Sequence, residues 1–351
     1  MTGLRISKKL RRTKMKRKGF TLVELLVVIA IIALLMGILM PALTRVRQIA
    51  YRMMCASNLA GIGKAMLLYA GDNQEDFPRS GGSKGTWASS GQLVGQFEPF
   101  LSTEALAYGE AADTAPVTIG SSFYLLVKYA EVTPKQFVCK GDAGAEVFSL
   151  DKWQTNITNA GGTCLSITDA WDFGTQPGKY CSYAYQIPFN GSDFPTEVRD
   201  VAKPIRTTSK AGTPVAADRS PYFDRNNETH VKDATLTAPT CIAGDVKDPS
   251  GVLNSACHQL EGQNILYVDG SSRFEKMPNV GVDNDNIYIA WTDYTAITTD
   301  VTCTKAGVKG LTLGTPPITV DNMGPTISKA PEDAFLVNEL QSGANAGQGP
   351  M

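Results

Sequence analysis

Hydrophobicity along the chain changes character twice. From Phe20 to Leu43, 24 residues carry one formal charge, Glu24. At 1.5 Å per residue such a run reaches across a hydrocarbon core of roughly 30 Å, so it predicts a membrane-spanning helix. The pattern then turns periodic. Leu43, Val46, Ala50, Met53, Ser57 and Ala60 recur at three- and four-residue steps, and Leu59, Ile62, Met66 and Tyr69 form a neighbouring stripe. This spacing predicts that the helix continues in amphipathic form, with one face ready to cover a globular head. Gly71-Asp72-Asn73 is a breaker cluster that ends it near Ala70. Pro41 deletes one backbone hydrogen bond inside this helix, so a kink is expected there.

Beyond residue 75 the pattern is irregular, and no internal repeat is visible. Ser121 to Val132 (SSFYLLVKYAEV) predicts a Ser-capped helix with Phe123, Leu126, Val127 and Ala130 on one face. KQFVCK, SYAYQI and TPVAAD read as short strands. Asn264 to Lys276 (NILYVDGSSRFEK) predicts a hairpin turning through the two residues Asp269-Gly270. The fold class that follows is α+β: a long helix packed on an antiparallel sheet, with large loops. The predicted divisions are a basic leader (1–19), the transmembrane half of the helix (20–43), its amphipathic half (44–72), the head (73–340) and a small, polar, flexible tail (341–351).

Charge sharpens this picture. The first nineteen residues hold nine Lys or Arg and no acid, which leaves 24 basic against 34 acidic side chains elsewhere. The leader is expected to stay cytoplasmic by the positive-inside rule, with the head extracytoplasmic. The acidic body argues against nucleic-acid binding. A secretory signal peptide has a shorter apolar core and a cleavage loop. Here the run is longer, and the helix-like TRVRQIAYRMM follows it. Seven cysteines without a C-x-x-C pair argue against a zinc ribbon or a thioredoxin-like site. Behind an export signal they suggest disulfides, and the odd number leaves at least one thiol free or paired between chains.

Lys18-Gly19-Phe20-Thr21-Leu22-Val23-Glu24 resembles the processing signal of type IV pilins and type II secretion pseudopilins. The resemblance implies cleavage by prepilin peptidase after Gly19 and methylation of the new amino terminus, Phe20. Glu24 then stands at the fifth mature position and Pro41 at the twenty-second, as in that superfamily. A carboxylate at mid-bilayer depth costs roughly 2.5–3.5 kcal/mol on insertion scales. Facing an ammonium group removes much of that cost. In pilin-like filaments the ammonium belongs to a neighbouring subunit, so the resemblance gives Glu24 an assembly role.

Several head segments resemble a subgroup of large pilin-like proteins with a carboxy-terminal His–Asp-Gly motif. They are Cys55-Ala56-Ser57-Asn58-Leu59, Phe137-Val138-Cys139-Lys140-Gly141-Asp142, Ser182-Tyr183-Ala184-Tyr185, and His258 through Asp269-Gly270. Ten residues, rather than that motif's nine, separate His258 from Asp269-Gly270. The subgroup's Phe-x-Cys-Pro-Ser-Asp also reads Phe-Val-Cys-Lys-Gly-Asp here. Resembling proteins often carry both cysteines, which implies a Cys55–Cys139 bond stapling helix to head. Closing a loop of that length is worth about 4–5 kcal/mol in the entropy model. The other five cysteines stay unassigned.

Other candidate sites weigh less. His258 lies near Glu261 and Asp269 in sequence, yet no HExxH or comparable ligand pair is present. It reads as a polar residue fastening a loop to the hairpin. Gly81-Gly82-Ser83-Lys84-Gly85 fits G-x-S-x-G but lacks the strand-turn-helix context and reads as a loop. Asp283 and Asp285, in Asp283-Asn284-Asp285-Asn286, offer oxygen ligands for calcium, the one cofactor suggested. Ile287 and Tyr288 break the EF-hand pattern there, and an acidic turn is the competing reading.

The chain therefore reads as a structural, non-enzymatic filament subunit, matured from an inner-membrane precursor into a periplasmic or surface filament. The partners implied are prepilin peptidase, copies of itself or other pilin-like subunits, inner-membrane assembly machinery and membrane lipid, with no nucleic acid. The alternative is a membrane-anchored extracytoplasmic binding or enzymatic domain that uses a pilin-like signal anchor.

Overall fold

The structure, a computed structural model, describes residues 21–79, 86–87, 116–117, 119–152, 166–173, 177–186, 205–221, 254–278, 280–281, 287–288, 290–291, 314–315 and 336–337. The leader, the Gly81–Gly85 segment, the Asp283–Asn286 segment and the 341–351 tail lie outside them. The chain divides into two compact units, one ending at Arg47 and one beginning at Gln48. Helix α1, Leu22–Asp72, runs through that division.

In the first unit every described residue from Thr21 to Arg47 is exposed. Helical assignment continues through Pro41. The proline has no N–H to donate to the carbonyl of Gly37, four residues earlier. A Cβ on Gly37 would meet nothing within 4 Å, so no packing among the described residues requires the glycine.

In the second unit α1 buries Cys55, Leu59, Ile62, Ala65, Met66, Tyr69 and Ala70. Of the two predicted stripes, the one through Leu59, Ile62, Met66 and Tyr69 is the covered one. Leu43, Val46, Met53 and Ser57 on the other are exposed. Along the covered stretch from Cys55 to Ala70, beyond the exposed Met53, side-chain size separates the stripes. Ser57 and Ala60 offer little apolar area, whereas Ile62, Met66 and Tyr69 each remove a large area from water. Gly63 marks the close approach to the sheet, because a Cβ there would come 2.5 Å from Leu266 Cδ1 and 3.3 Å from the Gly270 backbone.

Five strands form one antiparallel sheet: β1 (Tyr183–Gln186), β2 (Pro214–Asp218), β3 (Gln263–Tyr267), β4 (Ser272–Glu275) and β5 (Leu336–Val337), in the order β4-β3-β2-β1-β5. Ala184 faces Ala217, Ala217 faces Ile265, and Leu266 faces Ser272. Every residue of β2 and β3 is buried, as central strands require. The β3–β4 hairpin forms where expected, with a different turn. Gly270 N–H donates to Tyr267 C=O at 2.9 Å, and Gly270 has φ +77°. The loop is therefore three residues, Val268-Asp269-Gly270, with glycine in the left-handed position after a turn centred on Val268-Asp269.

Helix α2, Ile119–Tyr129, starts two residues before the predicted cap, so Ser121 and Ser122 lie buried inside it. The KQFVCK segment is not a strand. Pro134–Phe137 forms a 3₁₀ turn, with proline's fixed φ starting it, and the chain becomes extended only at Val138. Phe137 then reaches an aromatic cluster. Its ring centroid lies 5.4 Å from Phe123 and 5.1 Å from Phe173, and Phe123 lies 4.8 Å from Tyr185. Such pairs add roughly 0.5–1.5 kcal/mol each beyond their buried area.

Candidate functional site

Among the described residues, two places carry chemistry. At the amino end, Gly19 and Phe20 lie outside the described residues. Glu24 is described, and it already has a local partner. Its Oε2 accepts the Thr21 backbone N–H at 2.8 Å and the Thr21 hydroxyl at 2.8 Å, while Glu24 N–H approaches Thr21 Oγ1 at 3.3 Å. This is the reciprocal pairing of a capping box, in which side chain and backbone satisfy the free donors of the first helical turn. The T-x-x-E spacing was readable in the sequence as a helix start.

The second place joins head segments that are far apart in sequence. Cys55 lies on the covered face of α1, Cys139 just after the 3₁₀ turn, Asp218 at the end of β2 and His258 in a short turn before β3. One ligand-capable atom from each lies within 4.8 Å of the others, and all four residues are buried. Cys139 Sγ stands 3.8 Å from His258 Nε2, and Asp218 Oδ2 stands 3.1 Å from the same nitrogen. Cys55 and Cys139 are free thiols here, as is Cys257.

The surrounding residues fix this arrangement. Asp218 Oδ2 accepts the backbone N–H of Asn264 at 2.6 Å and its side-chain amide at 2.9 Å. Asn264 Nδ2 also lies 3.1 Å from His258 Nε2. Arg219, next to Asp218, pairs with Asp142 at 3.2 Å and donates to the Gly178 carbonyl at 2.8 Å, tying the Cys139 loop to the end of β2. Asn58, one turn beyond Cys55, reaches the Val138 carbonyl at 3.4 Å and the Tyr183 hydroxyl at 3.3 Å. Gly141 N–H donates to Cys139 Sγ at 3.3 Å. A Cβ on Gly141 would sit 2.1 Å from the Cys257 carbonyl and 3.2 Å from His258 Nδ1, so this loop can close over the turn only with glycine there.

Charge separates within the cluster. A hydrogen bond from Cys139, reinforced by His258, brings the Cys55 thiol down to about 6 despite burial. Hydrogen bonds with Cys257 and Cys55, together with burial, hold the Cys139 thiol far above its usual range. Burial alone would lower His258, but its hydrogen bonds with Asp218 and Cys55 outweigh that and raise it to about 10. The group favours a thiolate on Cys55 beside a protonated imidazole.

Sequence proximity did not identify the partners of His258. Glu261 pairs instead with Arg52 of α1. Asp269 is exposed and accepts the Ser271 N–H at 2.8 Å. Asp218 was missed as a site residue. The available signal was a carboxylate closing an otherwise apolar strand, PVAAD. The Asp283 and Asp285 calcium candidates fall outside the described residues, as do His230, Cys164, Cys241 and Cys303.

No curated protein and no solved structure matches this chain. Residues 14–40 match the family model for the prokaryotic N-terminal methylation motif, which supports a signal of the type IV pilin and pseudopilin kind, processed by prepilin peptidase, on a membrane-anchoring helix.

Proposed function

We propose that this chain is a structural subunit of a type IV pilus-like or type II secretion pseudopilus filament. The observation that carries the reading is the methylation motif at residues 14–40 on a helix half whose apolar residues are exposed. Prepilin peptidase cuts after Gly19 and methylates Phe20. The basic leader faces the cytoplasm and the head the other side, until inner-membrane machinery moves the subunit into a periplasmic or surface filament. There the apolar helix halves of neighbouring pilin-like subunits cover one another.

Thr21 and Glu24 refine the assembly step. In a lone subunit the carboxylate is engaged by its own helix end, which moderates its cost in lipid. In the filament the methylated ammonium of a neighbouring Phe20 competes for it. Charge pairing in a medium of low dielectric favours that exchange only at the correct stagger. The Gly37 carbonyl freed by Pro41 gives the helix a weak point that can open during extraction from the membrane.

Mass spectrometry of the amino terminus of the mature protein tests the reading. N-methyl-Phe at residue 20 is expected, and an intact leader or a cut elsewhere overturns it. Glu24→Ala is expected to leave cleavage and insertion intact while abolishing filaments. Normal filaments in that variant would remove the charge-pair role.

A further inference from the structure

We propose that Cys55, Cys139, Asp218 and His258 form a closed structural zinc site inside the head. Two sulfurs, one imidazole nitrogen and one carboxylate oxygen make a mixed tetrahedral donor set. Such sets suit zinc, whereas calcium and magnesium take all-oxygen shells. Ligand distances of about 2.0–2.3 Å around one zinc ion put neighbouring donors within about 4 Å of each other. The four donors already lie within 4.8 Å, so small side-chain adjustments complete the shell.

Three further observations point to an ion. Asp218 is fully buried, and its Oδ1 has no hydrogen-bond partner although Oδ2 is well supplied. A bare carboxylate oxygen in a dry interior is costly, and a cation removes the cost. The supports around the donors also match what a metal shell needs. Asn264 orients the carboxylate, and the Gly141 N–H donates to the Cys139 sulfur, the kind of backbone contact that stabilises a thiolate ligand. Finally, each ligand comes from a different part of the head, so one ion fastens α1, the Cys139 loop, β2 and the turn before β3 together.

Burial decides between a structural and a catalytic ion. Catalytic zinc keeps an open position for water or substrate. Here all four donors are protein groups, and none is more than 5% exposed. On binding, both sulfurs coordinate as thiolates, and whatever protons they still carry pass to solvent. His258 coordinates through neutral Nε2, and a further proton leaves if the imidazole was charged.

The test uses the full-length chain in detergent, reduced anaerobically, supplied with zinc and challenged with a colorimetric zinc chelator. One zinc per chain is expected to resist the chelator and to be released when the thiols are blocked with an organomercurial. Cys139→Ser and His258→Ala are expected to retain at least tenfold less. Absence of chelator-resistant zinc, or equal retention in both variants, overturns the site. Should the variants fail to fold, cobalt substitution in the unaltered chain decides. Strong sulfur-to-cobalt charge transfer with tetrahedral d–d bands supports it, and a weak octahedral spectrum overturns it. A non-reducing peptide map of the natively isolated protein showing a Cys55–Cys139 disulfide also overturns it.

Discussion

The two halves of α1 share a backbone and differ in every other respect. From Leu25 to Leu43 the helix is apolar on all sides and exposed, and from Gln48 onward it buries one stripe under the head. Gly37 and Gly63 condense the difference. A side chain at Gly37 would meet empty space, while one at Gly63 would strike Leu266. In the second half the surroundings come from the same chain. In the first half they come from lipid and, on our proposal, from other subunits. Apolar content alone therefore says little about burial within a chain, and periodicity says more.

That contrast can be attacked most strongly at Ile62. Ile62→Ala should destabilise the head by about 2–5 kcal/mol, because the site is fully buried, whereas Ile31→Ala should leave the denaturation midpoint unchanged. Comparable losses in both would erase the distinction. Next comes Pro41→Ala, which restores a donor for the Gly37 carbonyl. It should strengthen the first half by about 3 kcal/mol, read as slower amide exchange around Gly37 in micelles. The two glycines should then diverge in sign. Gly63→Ala should cost about 1–3 kcal/mol through overpacking, while Gly37→Ala should gain about 1 kcal/mol of helix stability. The smallest effect lies at the hairpin tip, where Gly270 meets Leu67 of the second half. Hydrogen bonds from Ser271 lower the Asp269 carboxyl below its ordinary value. Its contribution is present above the unfolded value of about 3.9 and fades as pH falls through the lower folded one. Asp269→Ala should flatten a shallow acid-side slope in the denaturation midpoint, and an unchanged slope would discount the turn.

What the sequence revealed tracks how local each signal is. The amino-terminal motif, the long helix, β1, β2 and the β3–β4 hairpin all follow from spacing within a few residues. Where two local rules competed, the reading slipped. Pro134 turned a strand-like KQFVCK into a 3₁₀ turn, and Asp269-Gly270 became the end of a three-residue loop. Helical period drew two stripes on α1, and it is the one carrying Ile62, Met66 and Tyr69 that the head covers. The buried cluster was the hardest to foresee. Cys55, Cys139 and His258 each sat in a recognisable segment, but Asp218 joins them through the β2–β3 pairing, a contact no local spacing encodes.

The wide separation of those four residues along the chain also imposes a timetable. Cys55 is synthesised first of the four and His258 last, so the cluster cannot close until nearly three quarters of the chain has been made. Such long-range closure comes late in folding. Throughout that interval the Cys55 and Cys139 thiols are without the histidine and the Asn264-bound carboxylate that later shield them. The redox conditions met by the nascent chain, before its carboxy-terminal third arrives, thus help decide which version of the head is made.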